Sequence, residues 1–390
     1  MKKVILSALT LGVLMTSCKK EGCTDASASN FNPDAKKDDN SCVYDEENTV
    51  PTTYNFTNVD INGQIVRLNL LKDLTAKMAE AATGTVTAQE LLDIYENTSG
   101  AYSEIATDKN LSGKTEANAD VAVRAWFDEI ETISSTVGGY TTANNEDLKQ
   151  MVEKTLMGAV FFNQAIDYYL VEVLSDDNST VTAGKGTDME NHWDEAFGYF
   201  GAALDYNNYT DDEIKTTGNY DSNGDGNIDL ASEQCYYYAI TAAKRDAGTS
   251  DLGATDQTNF TKALFDAWLK GRHAISNGDY TSRDEAIAAI QLNWQKIIAA
   301  TAVHYINYFT SDVNNSGSDE DKAKHYAEMK YYFKMLSYYP DNAMGANYNT
   351  VLTSFGDYPA DAAANLSGLA SSRDLIQTAY GFTDNQVAAW

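Results

Sequence analysis

Apolar residues along most of this chain recur every three or four positions, the spacing that gathers them on one side of a helix. Thr87 and Glu90 are set as a capping box ahead of "LLDIYENT", and "VAVRAWFDEIETI" continues the pattern. "DLKQMVEKTLMGAVFFNQAIDYYLVEVL" extends it into a long amphipathic helix. Thr187 and Glu190 form a second capping box, which puts His192 in the first turns of the next helix. Helical spacing returns in "FTKALFDAWLKGRHAI", in "DEAIAAIQLNWQKIIAATAVHYINYF" after Ser282, and in "DKAKHYAEMKYYFKMLSYY" after Ser318. Gly381 stops a last helix over "SRDLIQTAYGF". One stretch departs from this pattern. "TYNFTNVDINGQIVRLNLL" has two β-prone runs around Asn62-Gly63, a hairpin turn signal. The expected fold is all-α with a small N-terminal β-hairpin.

Two of these helices resemble each other. When "HWDEAFGYFGAALDY" is laid on "HYAEMKYYFKMLSYY", His192 meets His325, Glu195 meets Glu328, Tyr199 meets Tyr332, Phe200 meets Phe333 and Tyr206 meets Tyr339. Each copy follows a long helix with a tyrosine run, "IDYYLVEV" or "VHYINYF". Two helical bundles related by duplication account for this. The expected division is residues 54–250 for the first and 251–390 for the second.

Composition changes the picture at the N-terminus and on the surface. Of 390 residues 43% are hydrophobic, enough for a substantial core, and only four are proline, which favours long helices. The net charge of -29 repels phosphate backbones and excludes nucleic acid as a natural partner. Lys2 and Lys3 precede the apolar run "VILSALTLGVLM", too short to span a bilayer and suited to a secretory signal over residues 1–17. That signal ends in "MTSC", which resembles a bacterial lipobox with Cys18 as the lipidated residue. The mature protein is then a membrane-anchored body in the cell envelope, at the outer membrane and facing the periplasm or the exterior. Residues 18–53 read as a tether. Cys23 and Cys42 bracket an Asn-, Asp- and Pro-containing stretch with no core of its own, and a Cys23–Cys42 disulfide staples it in an oxidising compartment. Cys235, in "EQCYYYAI", is left as a buried small hydrophobe.

Two motifs carry candidate chemistry. In "DSNGDGNIDLASE", Asp221, Asn223 and Asp225 stand at alternate positions before the turn at Gly226; Asn227 offers a carbonyl and Asp229 follows. That is the oxygen spacing of an EF-hand-type calcium loop, and Ca2+ is the expected cofactor, in a structural role. Ser232 occupies the usual place of the closing acid, and Glu233 stands one residue later. In the His-x-x-Glu pairs, His192/Glu195 and His325/Glu328, both side chains share a helix face. They read as metal or ligand-binding groups, or as buried polar pairs bracing each bundle. His273 and His304 read as core or helix-end histidines. No His-Glu-x-x-His, Glu-x-x-His or Gly-x-Ser-x-Gly motif is present.

The stretches "NHWDEAFGYFG", "DSNGDGNIDLASE" and "AITAAKRD" resemble the lipoprotein family termed domain of unknown function 4856, typical of Bacteroidota and part of the imelysin-like group. The resemblance runs from about residue 52 to the C-terminus. It implies two four-helix bundles, and it associates the Gly-x-His-x-x-Glu motif of the group with iron or haem uptake or with metallopeptidase activity. His192 and Glu195 fall on that motif, but Glu190 stands where its glycine belongs and Ala323 stands there in the second copy. Gly271 and His273 restore the Gly-x-His half, with Ser276 in place of the glutamate. The expected function is an envelope protein that binds a metal ion, iron or another transition metal, or a metal-bearing ligand, as an accessory to iron or haem uptake beside an envelope receptor. A metallopeptidase and a non-catalytic structural lipoprotein are the alternatives.

Overall fold

The structure, a computed structural model, describes residues 20–26, 28–43, 49–103, 105 and 108–390. The expected signal sequence and Cys18 lie outside the described residues. The chain divides into two units, Met1–Val50 and Pro51–Trp390.

In the first unit Cys23 and Cys42 are joined by a disulfide, with Cα atoms 4.7 Å apart. Turns fill the space between them. Asp38 and Asp39 accept the backbone N–H groups of Asn40 and Ser41, and Lys20 and Lys37 pair with Asp34 and Glu21. The acidic side chains there close turns, as short Asx side chains do.

The second unit is helical, with no strand among its described residues. Its first half contains α1 (Asn62–Ala79), α2 (Ala88–Tyr95), α3 (Ala117–Thr136), α4 (Leu148–Leu156), α5 (Leu170–Glu172), α6 (Asp188–Phe200), α7 (Asp211–Thr216) and α8 (Tyr237–Ala247). Between α4 and α5 the helix widens into π-helical segments, Met157–Phe162 and Gln164–Tyr169. Then come α9 (Phe260–Ser276), the 35-residue α10 (Tyr280–Asn314), α11 (Asp319–Met335) and the shorter α12 (Tyr348–Ser354), α13 (Pro359–Ala364), α14 (Leu366–Tyr380) and α15 (Asp384–Ala389). No helix among the described residues is long and apolar enough to cross a membrane.

The expected β-hairpin is corrected: Asn62-Gly63 opens α1. Ile61, Ile65, Leu68, Leu71, Leu74 and Met78 are all buried, at helical spacing. A lone hairpin would bury too little to persist, whereas α1 is sunk on nearly all sides. Its polar residues are satisfied inside. Arg67 donates to the carbonyls of Asn110 and Gly63, and Asn69 donates to Ile65 O and to the Tyr236 hydroxyl. The capping boxes of Thr87/Glu90 and Thr187/Glu190 are both formed, Ser318 caps α11, and Gly381 takes a left-handed conformation at the end of α14.

The core crosses the expected division at residue 250. Trp294 of α10 is fully buried and meets Phe162, Phe200, Tyr238 and Trp268 edge-on, so the π-helical segment, α6, α8 and α9 share one aromatic centre. Packing also joins α4 to α11 and α6 to α9. At Gly271 of α9 the Trp193 ring of α6 occupies the space a Cβ would need. Its indole N–H donates to Trp268 O at 3.2 Å. Gly271→Val is expected to lower the urea midpoint by an amount equivalent to about 1–3 kcal/mol or more, because the ring has no free volume to enter. Gly253→Ala, where an added Cβ meets open space, should leave the midpoint within about 0.5 kcal/mol.

Candidate functional site: paired histidine–aspartate clusters

The capping box at Thr187 fixes the start of α6 and with it the direction of His192. The His192 ring does not turn to Glu195. Its Nδ1 lies 2.8 Å from Asp176 Oδ2, a carboxylate just beyond α5. In the second copy His325 Nδ1 lies 2.6 Å from Asp312 Oδ2, near the end of α10. Tyrosines flank both rings. His192 is 5.5 Å from the Tyr169 ring, which stacks on Tyr199 at 6.2 Å. His325 is 6.0 Å from Tyr305, which stacks on Tyr332 at 5.8 Å. The repeat thus reaches further than the aligned helices: Tyr169 and Asp176 correspond to Tyr305 and Asp312, at the same spacing within "YLVEVLSD" and "YINYFTSD".

The glutamates differ between copies. Glu328 is buried and accepts the Tyr305 hydroxyl at 2.8 Å, while its Oε2 has no partner. Burial, reinforced by the Glu328 charge, keeps the Tyr305 phenol protonated. Glu195 is half-buried, and its charge is felt by Tyr169 and by Lys114, which sits 5.3 Å over the Tyr169 ring. Sharing a helix face therefore does not bring histidine and glutamate together. Each histidine takes an aspartate from the stretch before its own helix, Asp176 beyond α5 and Asp312 near the end of α10, and Glu328 bonds Tyr305. Among the described residues no group of three or more His, Cys, Asp or Glu side chains is gathered around one point as a metal-holding set.

The acidic loop is folded on its own amides. Asp221 accepts the N–H groups of Gly224, Asp225 and Gly226; Asn223 accepts that of Asp225, and Asp225 that of Asn227. Asp229 accepts from Ala231 and Ser232. Glu233 is buried: its Oε1 accepts from the backbone N–H groups of Ser222 and Asn223, and its Oε2 from that of Asp229. It pins both ends of the loop from inside and does not face the ring of exposed oxygens. The alternating side-chain oxygens of Asp221, Asn223, Asp225 and Asp229 suit calcium in type and order. Their carboxylates would have to draw closer to hold it.

Sequence reasoning missed the strongest polar group in this region. Asp194, between the motif residues His192 and Glu195, is completely buried and accepts the Tyr54 hydroxyl at 2.7 Å and Arg272 Nε at 2.9 Å. Arg272, 1% exposed, also donates to Glu190 Oε1 and Ser276 Oγ, both at 2.6 Å, and Ser276 donates to Glu190. Glu190 and Ser276 are two of the positions at which the chain departs from Gly-x-His-x-x-Glu, and Arg272 joins them. Burial pushes the Glu190 carboxyl up, but Arg272, the Thr187 N–H and the Ser276 hydroxyl together hold it below its ordinary value. The signal was in the sequence: Asp194 and Arg272 each interrupt an otherwise apolar helix face.

A family model described as Domain of unknown function (DUF4856) matches residues 135–348, a span holding both histidine–aspartate pairs, the acidic loop and Arg272. The chain belongs to the DUF4856 family. No curated protein and no solved structure matches it. The DUF4856 match leaves out α1, α2, nearly all of α3 and of α12, and α13 to α15, and Tyr54, which reaches Asp194, lies outside the matched domain.

Removing Arg272 strands two carboxylates inside this DUF4856 domain. Arg272→Met is expected to cost about 3–5 kcal/mol in denaturant unfolding. Arg272→Lys should recover part of that loss, since an ammonium cannot reach Asp194, Glu190 and Ser276 in one plane.

Proposed function

We propose that this DUF4856 protein is a lipid-anchored protein of the bacterial outer membrane, imelysin-like with two duplicated bundles, that binds a metal-bearing ligand of the iron or haem kind for an uptake receptor. The observation that carries the reading is the paired imidazole. In both copies Nδ1 is held by an aspartate, while Nε2 has no hydrogen bond among the described residues. A metal-ligating histidine usually has its second nitrogen held in this way, which fixes the tautomer and strengthens the donor. One imidazole per copy suits a metal that arrives with its other positions already filled, and the donor set suits a bare ion less. Beside His192 the half-exposed Tyr168 ring, 6.5 Å away, offers a flat apolar face, with Lys114 5.5 Å over it. The anchor rests on "MTSC" and the basic-apolar stretch before it.

Ferric haem titrated into the mature protein should give a saturable Soret shift. His192→Ala and His325→Ala should each weaken it at least tenfold, and Asp176→Asn by about 10–100-fold. Haem binding untouched by both histidine variants defeats the proposal. The second reading is favoured by position: each His–Asp pair fastens the end of one helix to the start of the next. If bracing is the whole role, the same variants lower the melting temperature and leave haem affinity unchanged.

Calcium binding by the loop is part of the same proposal, with Asp221, Asn223, Asp225 and Asp229 as side-chain ligands, Asn227 as carbonyl donor and Glu233 as the internal staple. Added calcium should raise the melting temperature, chelator should reverse it, and Asp225→Ala should abolish the response. A melt indifferent to calcium rules the site out.

A further inference from the structure

Among the described residues five cationic side chains are buried: Arg67, Lys154, Arg245, Arg272 and Arg283. Four have partners. Arg67 donates to two carbonyls, Lys154 pairs with Glu153 at 3.0 Å, Arg272 holds its two carboxylates, and Arg283 pairs with Asp284 at 2.8 Å. Arg245 is the exception. It is 7% exposed, and its Nε and Nη1 find no hydrogen-bond acceptor. A buried guanidinium without a counter-charge costs several kcal/mol, and a native structure rarely leaves such a group unanswered.

Arg245 lines a cavity of about 750 Å³, walled also by Lys244, Lys215, His304, Arg373 and Trp390. No aspartate or glutamate lines it, in a chain with 57 acidic residues and 28 basic ones. Lys215 is already paired with Asp212 at 2.6 Å. Lys244, Arg245 and Arg373 have no carboxylate within salt-bridge reach among the described residues. Arg373 donates through Nη1 to Asn307, and its buried Nε is also without a partner. His304 donates from Nδ1 to Trp390 O at 2.8 Å. Burial and then the Arg245 charge push the His304 imidazole down to about 3, so it is neutral and adds no positive charge. The Glu328 charge reaches Arg245, behind burial and three tyrosines in influence, but no ion pair joins them, and Glu328 Oε1 accepts from Tyr305.

We infer that this cavity binds a small organic oxyanion bearing two or more negative charges, a polycarboxylate or a phosphate ester, with Arg245 as the buried anchor and Lys244 and Arg373 as its flanking cations. The volume exceeds that of an inorganic anion and falls in the range of small-molecule sites. The free N–H groups offer charge-assisted hydrogen bonds of the kind guanidinium makes to carboxylate or phosphate. The Trp390 ring supplies an apolar wall beside the charged end. The site adjoins the His325 cluster through Tyr308, whose ring is 5.4 Å from His325. It uses none of the residues of the histidine–aspartate pairs, so it stands or falls independently of haem binding.

The test is calorimetric titration of the mature protein with citrate and with glycerol 3-phosphate, at constant ionic strength with chloride as background. Saturable one-to-one binding of either anion is expected, and the tighter of the two names the ligand class. Arg373→Gln should weaken it at least fivefold and Arg245→Met at least tenfold. Arg245→Met serves also as a folding control. Replacing an unpaired buried cation by an apolar side chain should hold or raise the melting temperature without ligand, whereas a structural arginine would lose stability. The inference is overturned if neither anion binds the native protein above the chloride background, or if binding survives both substitutions unchanged.

Discussion

The α6–α9 crossing is the constraint on which the rest of this structure depends. Trp193 can lie against α9 only because position 271 has no side chain, and that approach brings Asp194 within 2.9 Å of Arg272. Once the ion pair is excluded from water, its remaining donors need partners. Glu190, Ser276 and Thr57 O supply them, and Tyr54 joins Arg272 on Asp194 Oδ1, while the buried Oδ2 is left without a hydrogen bond. Packing and electrostatics are therefore one condition here. Neither the aromatic seat nor the buried charges would be stable without the other, since a displaced ring would admit water and an unpaired carboxylate would repel the helix.

This crossing also explains where the two copies have parted. In the second copy Trp193 and Asp194 are replaced by Tyr326 and Ala327. Tyr326 turns its hydroxyl to Gly356 O, and Lys330 binds the same turn. The buried ion pair belongs to one half only, whereas the histidine–aspartate pair and the stacked tyrosines occur in both. A brace needed by each bundle, or a ligand bound by each, would be retained twice. A contact that fastens α6 to α9 is needed once.

Much of this was legible in the chain. Helical spacing located α3, α6, α9, α10 and α11, and hydroxyl–carboxylate pairs marked the starts of α2 and α6 in advance. The overlay of His192 on His325 pointed to the duplicated cluster. What periodicity could not supply was the partner across space. Helical spacing put Glu195 on the face of His192, but the hydrogen bond goes to Asp176, sixteen residues back and beyond the end of α5. The β-hairpin expectation failed for a related reason. Ile65, Val66 and the Asn-Gly pair are strand-prone locally, yet no second strand or sheet was available to pair with them, and burial of α1 decided the outcome. Asp194 and Arg272 were visible as charges in apolar faces. Only their separation in sequence hid that they answer each other.

The acidic loop shows how one displaced residue changes a role. At the usual closing position a glutamate would reach over the cation. Standing one residue later, Glu233 points to the interior and spends both oxygens on amides of Ser222, Asn223 and Asp229. The loop is thus shaped before any cation arrives, because its turns are closed by its own carboxylates and its two ends are tied through Glu233. Preshaping of this kind lowers the entropy lost on binding. It also leaves fewer charged oxygens for the ion, so a cation here would be held by geometry more than by charge. That combination suits a fixed structural site and not one that responds to changing calcium levels.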